Sequence, residues 1–438
     1  MNVFLISLGC PKNFVDTEVM AGTLLKSGCG ITFDQREADI TLINTCAFLP
    51  SAREESYKAI RDAVRWKKRK PGRRVAVAGC LIEWDKKSEA KAMFPEVDSW
   101  SGIDGVAKIA ETLDNDTNFP GAPAPCYLYD ENTPRILLTM PHVAYLKIAD
   151  GCNNRCAYCS IPNIRGVLRS RPLASCVQEA KNLLAGGVRE IVVIAQDVTC
   201  YGADNESGDN LEKLLLELDK LPGEFWIRLL YTHPAHYTDG LIEVIKNSRH
   251  VLHYLDIPLQ HISDRILKSM GRIAGKTRTL ELLNKLRAAM PDLAVRTTFI
   301  TGLPGETEEE FSELRQFVSD FKFHRLGVFE YAPEPETPAA VMPNQVPAKV
   351  ALKRSKELMT LQMEISKKLN QELIGREMTV LIDEADGKNG VGRGTADAPE
   401  IDNAIYVKSS KKLREGEFVR VRITGGDEYD LQAEVVKR

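Results

Sequence analysis

The sequence predicts an α/β protein in three parts. These are an N-terminal parallel-sheet domain, a longer strand–helix repeat forming a partial (β/α)6 barrel, and a small antiparallel β-barrel at the C-terminal end. Three observations lead there. Short apolar runs rich in Val, Ile and Leu alternate with amphipathic stretches up to residue 118, and the alternation resumes from 142 to 345. After residue 375 the pattern becomes short strands separated by Gly387, Gly390, Gly392, Gly394, Gly425 and Gly426. The length, 438 residues, allows two to four domains at roughly 100–200 residues each.

In the first part (1–118), residues 3–8, 40–43 and 75–78 read as buried strands, and 16–27 and 51–66 have helical spacing. Asp16 and Ser51 are expected N-caps, with Glu54 completing a capping box, and Gly28 and Gly30 stop the first helix. Residues 119–141, opening Phe119-Pro120-Gly121-Ala122-Pro123, read as a linker or surface loop. In 142–345 the expected strands are 143–148, 190–195, 226–230, 252–257, 294–300 and 326–331. Helices are expected over 176–184, 210–218, 262–270 and 279–289. Six units fall short of the eight that close a full barrel. Thr307 with Glu310 is a second expected capping box, after the turn Gly302-Leu303-Pro304-Gly305. Residues 346–374 form a charged connecting helix. In 375–438, strands are expected over 378–382, 404–407, 417–423 and 431–436.

Composition is that of an ordinary soluble protein: 43% hydrophobic, 27% charged, and 58 basic against 61 acidic residues for a net charge of −3. That balance argues against binding nucleic acid through a global basic field. No apolar run approaches the ~18 residues of a membrane span, and the first ten residues read as a strand rather than a signal peptide. A cytoplasmic protein is expected, and there ten cysteines point to metal or redox chemistry rather than disulfides.

Cys152-Asn153-Asn154-Arg155-Cys156-Ala157-Tyr158-Cys159 is the sharpest signal. It follows the first strand of the barrel at its carboxyl end, where chemistry collects in such folds. Three thiolates this close can hold three corners of an iron–sulfur cube, with the fourth iron open; a chance cluster of buried cysteines is the plain alternative. Structural zinc wants a fourth protein ligand, and none lies near in sequence. Cys10, Cys46 and Cys80 each follow one strand of the first domain, about one βα unit apart, so a parallel sheet brings them to one edge. Separate burial as small apolar side chains is the plain alternative. Cys29, Cys126, Cys176 and Cys200 show no pattern.

With those six cysteines and a small C-terminal barrel, the sequence resembles the methylthiotransferase branch of the radical S-adenosylmethionine (SAM) enzymes, over essentially the whole chain. Ser7-Leu8-Gly9-Cys10-Pro11-Lys12-Asn13, and Asp397-Ala398-Pro399-Glu400-Ile401-Asp402 after Val391-Gly392-Arg393-Gly394-Thr395, look like the RimO type, which modifies the β-carbon of an aspartate in the twelfth protein of the small ribosomal subunit. The resemblance implies a radical SAM barrel over 142–345 and a TRAM-like final barrel. It implies two 4Fe-4S clusters: one on Cys152, Cys156 and Cys159 that chelates SAM and cleaves it to a 5′-deoxyadenosyl radical, and an auxiliary one on Cys10, Cys46 and Cys80 that delivers sulfur. One SAM serves as methyl donor and another as radical source. It also implies an electron donor of flavodoxin or ferredoxin type, a ribosomal-protein substrate, free or within the ribosome, no membrane partner, and nothing that demands more than a monomer. No catalytic residue beyond the cluster ligands is marked.

Strand ends of the barrel are expected to line the SAM pocket: Gln196 and Asp197, Arg228 and His233, Gln260 and His261, and Arg296 with Thr298. Each has a plain alternative as a loop or surface residue. Arg61, Arg65, Lys67, Lys68, Arg69, Lys70, Arg73 and Arg74 form a basic run that usually marks a solvated face and alternatively contacts ribosomal RNA. Arg165, Arg169 and Arg171 face either solvent or an acidic substrate. The final barrel carries 11 basic and 13 acidic residues from 376 to 438, and Asp397, Glu400 and Asp402 read as an acidic patch suited to a basic protein partner rather than to tRNA. Two rival functions are a tRNA (adenosine) methylthiotransferase and a non-catalytic iron–sulfur scaffold.

Overall fold

The computed structural model describes every residue except 116, 117, 119, 120, 122, 123, 437 and 438. Five parallel strands, β1 (Asn2–Ser7), β2 (Gly30–Thr32), β3 (Ile40–Thr45), β4 (Arg74–Gly79) and β5 (Ser99–Ser101), form the first sheet in the order β2-β1-β3-β4-β5. Two of these, β2 and β5, have three residues each, too short for periodicity to reveal. The helix Pro11–Lys26 starts with Cys10 at its N-cap and ends ahead of Gly28 at φ 85°.

Two expected caps are corrected. Asp16 lies inside that helix, buried, with Arg165 donating to it at 2.7 Å and Lys147 paired to it. The helix Pro50–Lys67 has Leu49 at its N-cap and no side-chain cap, because Pro50 itself presets the first turn, so Ser51 and Glu54 form no capping box. The box at Thr307 and Glu310 is formed.

The second sheet is open, with six parallel strands: β6 (Val143–Lys147), β9 (Glu190–Ile194), β10 (Trp226–Leu229), β11 (Val251–Asp256), β12 (Ala294–Thr301) and β13 (Arg325–Glu330), in the order β13-β12-β11-β10-β9-β6. A short antiparallel pair, β7 (Ala149–Asp150) and β8 (Arg169–Ser170), stands at the end of the first strand. Helices cover the outer face through a core that includes Leu183, Leu214, Leu283 and Leu314, and the 25-residue helix Ala348–Glu372 adds Leu358 and Ile365 to it.

The inner face joins all three parts of the chain. Val143, Tyr145, Val192 and Tyr254 of the open barrel share one apolar cluster with Val15, Val19 and Met20 of the first helix and with Leu381 and Ala398 from the C-terminal barrel.

In the stretch read as a linker, residues 119, 120, 122 and 123 lie outside the described residues. From 124 onward the segment is packed rather than loose. Arg135 bridges Glu18 (2.6 Å) and Glu179 (2.5 Å), and Ile136 N donates to Glu18 O (3.1 Å). Gly22 permits this: a Cβ there would meet Pro134 O at 2.6 Å.

The C-terminal unit is a closed barrel, β14 (Glu377–Asp386), β15 (Asn389–Arg393), β16 (Ile405–Lys408), β17 (Phe418–Gly426) and β18 (Leu431–Val435), in the order β14-β15-β16-β18-β17. One pair, β16 with β18, is parallel, so the barrel is not wholly antiparallel. β15 occupies a glycine-rich segment read as a turn. A Cβ at Gly392 would lie 2.4 Å from Leu381 O, so the glycine serves close strand approach in a tight barrel.

The expected acidic patch is also corrected. Asp397 is buried, the Asp402 side chain is 3% exposed, and both point into the open barrel. Arg325 pairs with Asp397, Tyr254 Oη donates to Asp402 Oδ2 at 2.6 Å, and Arg296 lies 3.5 Å from Asp402. Glu400 accepts from Tyr145 Oη at 3.4 Å. The loop is an internal plug, and arginines of the neighbouring domain neutralise Asp397 and Asp402.

Candidate active site

Cys10, Cys46 and Cys80 follow three adjacent strands, β1, β3 and β4. Residues Thr45 and Gly79 are paired, so Cys46 and Cys80 leave the sheet in register. Gly9 (φ 89°) has Cys46 against it: a Cβ on Gly9 would lie 2.7 Å from Cys46 Sγ. Gly79 (φ 96°) has Asn44 Oδ1 and Thr45 O in the same position, at 2.2 and 2.8 Å. Both turns therefore require glycine. Ser56 holds the Cys46 backbone, accepting from its N–H (3.2 Å) and donating to its carbonyl (2.8 Å). Burial pushes the Cys46 thiol up and the Cys80 thiol up to about 12, while Arg165, whose Nη2 is 3.2 Å from Cys80 Sγ, acts in the opposite sense.

Cys152, Cys156 and Cys159 lie on the loop between β7 and the helix Ile161–Arg165. Main-chain bonds pin this loop: Cys152 N to Gly166 O (3.1 Å), Ala157 N to Met270 O (2.8 Å), and Ala339 N to Ala157 O (2.9 Å). A Cβ on Gly151 (φ 78°) would sit 2.0 Å from Val167 O. Burial raises Cys152 and takes Cys159 to about 12, and Arg272 stands 3.9 Å from Cys156 Sγ.

One buried chain of charges links the triads. Arg165 donates to Asn13 Oδ1 (3.0 Å), Asp16 Oδ2 (2.7 Å) and Asp150 Oδ2 (3.0 Å) as well as touching Cys80. Asp150 stands two residues before Cys152 and also accepts from Gln196 Nε2 at 2.6 Å. Burial alone would raise its carboxyl, but Arg165 and Lys147 hold it well below the usual range. Arg165 and Arg171 are buried, the latter against Glu179, so neither faces solvent or substrate as expected. Arg169 donates to the carbonyls of Arg165 and Val167. The basic run is largely paired on its own surface: Arg65 with Asp62, Lys67 with Asp98, Lys68 with Glu96, and Arg73 over the Trp66 ring.

Among the described residues, only Asp197, Cys200 and His236 bring three ligand atoms within 4.8 Å of one another. Neither cysteine triad closes that tightly, so neither is drawn around a single ion such as zinc. A multi-iron cluster, which gives each thiolate its own iron, holds them wider. The donor sets, three cysteines each with a cation beside one sulfur, fit such clusters.

The expected SAM-pocket residues divide. Gln196 and Asp197 stand at the carboxyl end of β9. Gln196 Oε1 is buried without a partner. Asp197 accepts from Asn154 Nδ2 (2.7 Å) on the cysteine loop and from His236 (3.0 Å). Burial works against its charge, but the hydrogen bonds from His236 and Thr199 and the nearby His233 bring it down to about 2. Gln260 has φ 72° and joins the β12 backbone at Thr298 O and Ile300 N, each at 2.8 Å.

Arg228 is corrected, and Arg296 is tied to the plug from the edge of the pocket. Arg228 is fully buried, donating to Glu190 Oε1 (2.6 Å) and Thr395 O (2.8 Å), and Arg296 is held by Asp256 (2.9 Å) and Asp402. Both hold the C-terminal plug in the barrel, Arg228 with a fully buried side chain and Arg296 with 21% of its side chain still exposed. His233 is buried and stacked on His236, with burial and Arg272 lowering it to about 3. His261 is buried 3.8 Å from Glu306.

Sequence reasoning missed Arg165 as a tie between the triads, and also Arg272 beside Cys156 and Asp256 beside Arg296. No spacing marks them; each acts through a long-range contact.

An open six-stranded parallel barrel with a three-cysteine loop on its first strand defines the radical SAM class, and the sequence model of the radical SAM superfamily matches residues 146–318. The models described as "Uncharacterized protein family UPF0004" and "TRAM domain" match residues 2–102 and 374–436. The chain is 44% identical over 443 residues, all of both chains, to "Ribosomal protein uS12 methylthiotransferase RimO" of Desulforamulus reducens. It is 44% identical over 441 residues to the protein of the same name from Geobacter sulfurreducens, covering 99% of this chain and 98% of that one. The chain belongs to the family of ribosomal protein uS12 methylthiotransferases, RimO, and is a radical SAM enzyme.

Solved structures share the fold. The radical SAM methyltransferase TsrM from Kitasatospora setae aligns at a TM-score of 0.59 and 15% identity, over 78% of this chain and 77% of that one. The radical SAM enzyme OxsB aligns at 0.53 and 12%, over 82% and 56%. No helix among the described residues is long and apolar enough to cross a membrane.

Proposed function

We propose that this enzyme places a methylthio group on the β-carbon of an aspartate in ribosomal protein uS12, with a 4Fe-4S cluster and SAM on Cys152, Cys156 and Cys159 and an auxiliary 4Fe-4S cluster on Cys10, Cys46 and Cys80. The observation that carries this reading is the pair of triads, each at the carboxyl edge of a parallel sheet and joined through Arg165 and Asp150. When bound, these groups supply one-electron cleavage of SAM at one triad and a transferable sulfur at the other. The chain's own residues do the rest. Met270 O and Gly166 O fix the cysteine loop, Gln196 and Asp197 offer polar atoms at its side, and the N-terminal helix together with the plug 394–402 excludes water from the inner face. Gln260, in its left-handed turn, is assigned to the same pocket.

The domains are taken as 1–118, 142–345 and 375–438, with 119–141 and 346–374 as connections. A cytoplasmic, monomeric enzyme served by a flavodoxin or ferredoxin completes the reading. The test is anaerobic, cluster-loaded protein with SAM and dithionite, offered uS12 and tRNA separately. The expected result is a methylthio mass gain on uS12. A gain on tRNA alone supports the tRNA reading, and absence of 5′-deoxyadenosine supports a scaffold.

A further inference from the structure

Lys12 stands at the seam between the two halves of the site. It lies on the first turn of the helix that begins after Cys10, and it is 7% exposed. Its Nζ sits 3.2 Å from the centroid of the Tyr231 ring. The seam is made from both domains: Lys12 stands two residues after Cys10 of the first, and the ring beneath it belongs to Tyr231 of the open barrel. Among the described residues no ion pair or hydrogen bond engages Nζ, whose contact is the ring face. Burying an amine with three donors and only a ring face beneath it is costly; the ring quadrupole offsets part of that cost.

Tyr231 is held in place for this contact. It follows β10 at the carboxyl edge of the open barrel and has φ 63°, a conformation that an aromatic residue rarely adopts. Its N–H donates to Asp256 Oδ2 (3.0 Å) and its carbonyl accepts from Val198 N (3.0 Å). Asp256 is itself fixed by Arg296 at 2.9 Å. Strain maintained from both sides at a ligand-facing turn is a feature of binding sites.

We propose that Lys12, seated on the Tyr231 ring, receives the carboxylate of the target aspartate and so makes the enzyme selective for an acidic side chain. This rests on the uS12 reading above. Arg165 already occupies the sulfur side of the seam through Cys80, whereas Lys12 is turned toward the strand ends of the radical barrel. The carboxyl carbon of aspartate is bonded directly to the β-carbon. An anchor on the carboxylate therefore positions the reacting carbon between the two triads.

The test is a cycle between enzyme and substrate. Cluster-loaded wild type, Lys12→Gln and Lys12→Arg are titrated anaerobically with a uS12-derived peptide carrying aspartate, or asparagine, at the target position. Binding is read by fluorescence anisotropy, and iron and acid-labile sulfide are counted on each protein. Wild type should prefer the aspartate peptide by about tenfold or more, as expected for a charge-assisted pair. Lys12→Gln should bind both peptides alike with an unchanged iron content, and Lys12→Arg should recover part of the preference. A preference that survives in Lys12→Gln overturns the proposal. Loss of iron in both variants also overturns it, by assigning Lys12 to the auxiliary cluster. Wild type that methylthiolates tRNA and binds neither peptide overturns the underlying reading, and that result needs no variant.

Discussion

The two cysteine triads reach similar donor sets by opposite routes. Cys152, Cys156 and Cys159 share one loop of eight residues, fixed by main-chain bonds to Gly166, Met270 and Ala339. Cys10, Cys46 and Cys80 are spread over 71 positions and meet only because β1, β3 and β4 are neighbours in register. The local triad depends on a turn, and the dispersed one on a whole sheet and on the glycines that end its strands. The loop triad should therefore outlast perturbations of the first domain, while the dispersed triad should fail first.

The largest expected effect separates their chemistry. Cys156→Ala should abolish formation of 5′-deoxyadenosine. Cys46→Ala should leave SAM cleavage intact and abolish the methylthio product. Chromatography of the nucleoside and mass spectrometry of uS12 read both, and full methylthio product from the Cys46 variant would dissolve the distinction between the triads.

Arg165 tests the link. It neutralises Asp16 and Asp150 in the interior, and removing one partner of a buried charge cluster costs about 3–5 kcal/mol. Arg171 is equally buried but pairs with Glu179, away from either triad. Arg165→Met and Arg171→Met should both lower the melting temperature markedly. Only the first should lose iron, and chiefly from the dispersed triad. Equal iron loss in both variants would reduce Arg165 to a packing residue.

The same contrast explains what was legible in the sequence. The loop triad announces itself by spacing, and the dispersed one by its place after successive apolar runs. The three-part fold follows from periodicity. Asp16 read as a helix cap, Asp397 and Asp402 as an exposed patch, and Arg165 as a loop cation, because a charged residue carries no local mark of the long-range partner that buries it. Arg325, Arg296 and the Arg165–Asp16 pair, each joining distant parts of the chain, decide those cases. Glycine is ambiguous for a related reason. Gly392 and Gly79 look alike in a string of letters, yet one lets two strands approach and the other turns a cysteine into the site.

Gly9→Ala and Gly151→Ala sharpen the comparison at smaller scale. Each forces a left-handed backbone onto an L-residue and drives a Cβ into a neighbour, Cys46 in the first case and Val167 O in the second. A strained conformation of this kind costs about 1–3 kcal/mol. Gly9→Ala should keep SAM cleavage and lose iron from the first domain, and Gly151→Ala should do the reverse. Iron counting combined with the nucleoside assay distinguishes them.

The smallest effect lies outside both triads and serves as their control. His324 is packed beside Arg325; burial, with Arg325 and Arg287 adding to it, lowers it to about 4. A histidine kept neutral by folding binds fewer protons in the native state than in the unfolded one. Its contribution is full above the unfolded value near 6.5 and is lost as pH falls from there toward 4. At most about 1.4 kcal/mol per pH unit follows from one such group, and partial solvent access reduces that. His324→Gln should flatten the acid limb of a melting-temperature profile between pH 6.5 and 4 while leaving iron content and product yield at pH 7.5 unchanged. Because β13 is an edge strand of the open barrel and also carries the Arg325 tie to Asp397, an unchanged limb would shift the acid sensitivity to other buried groups, and a lost yield would show that this edge reaches the triads through the plug.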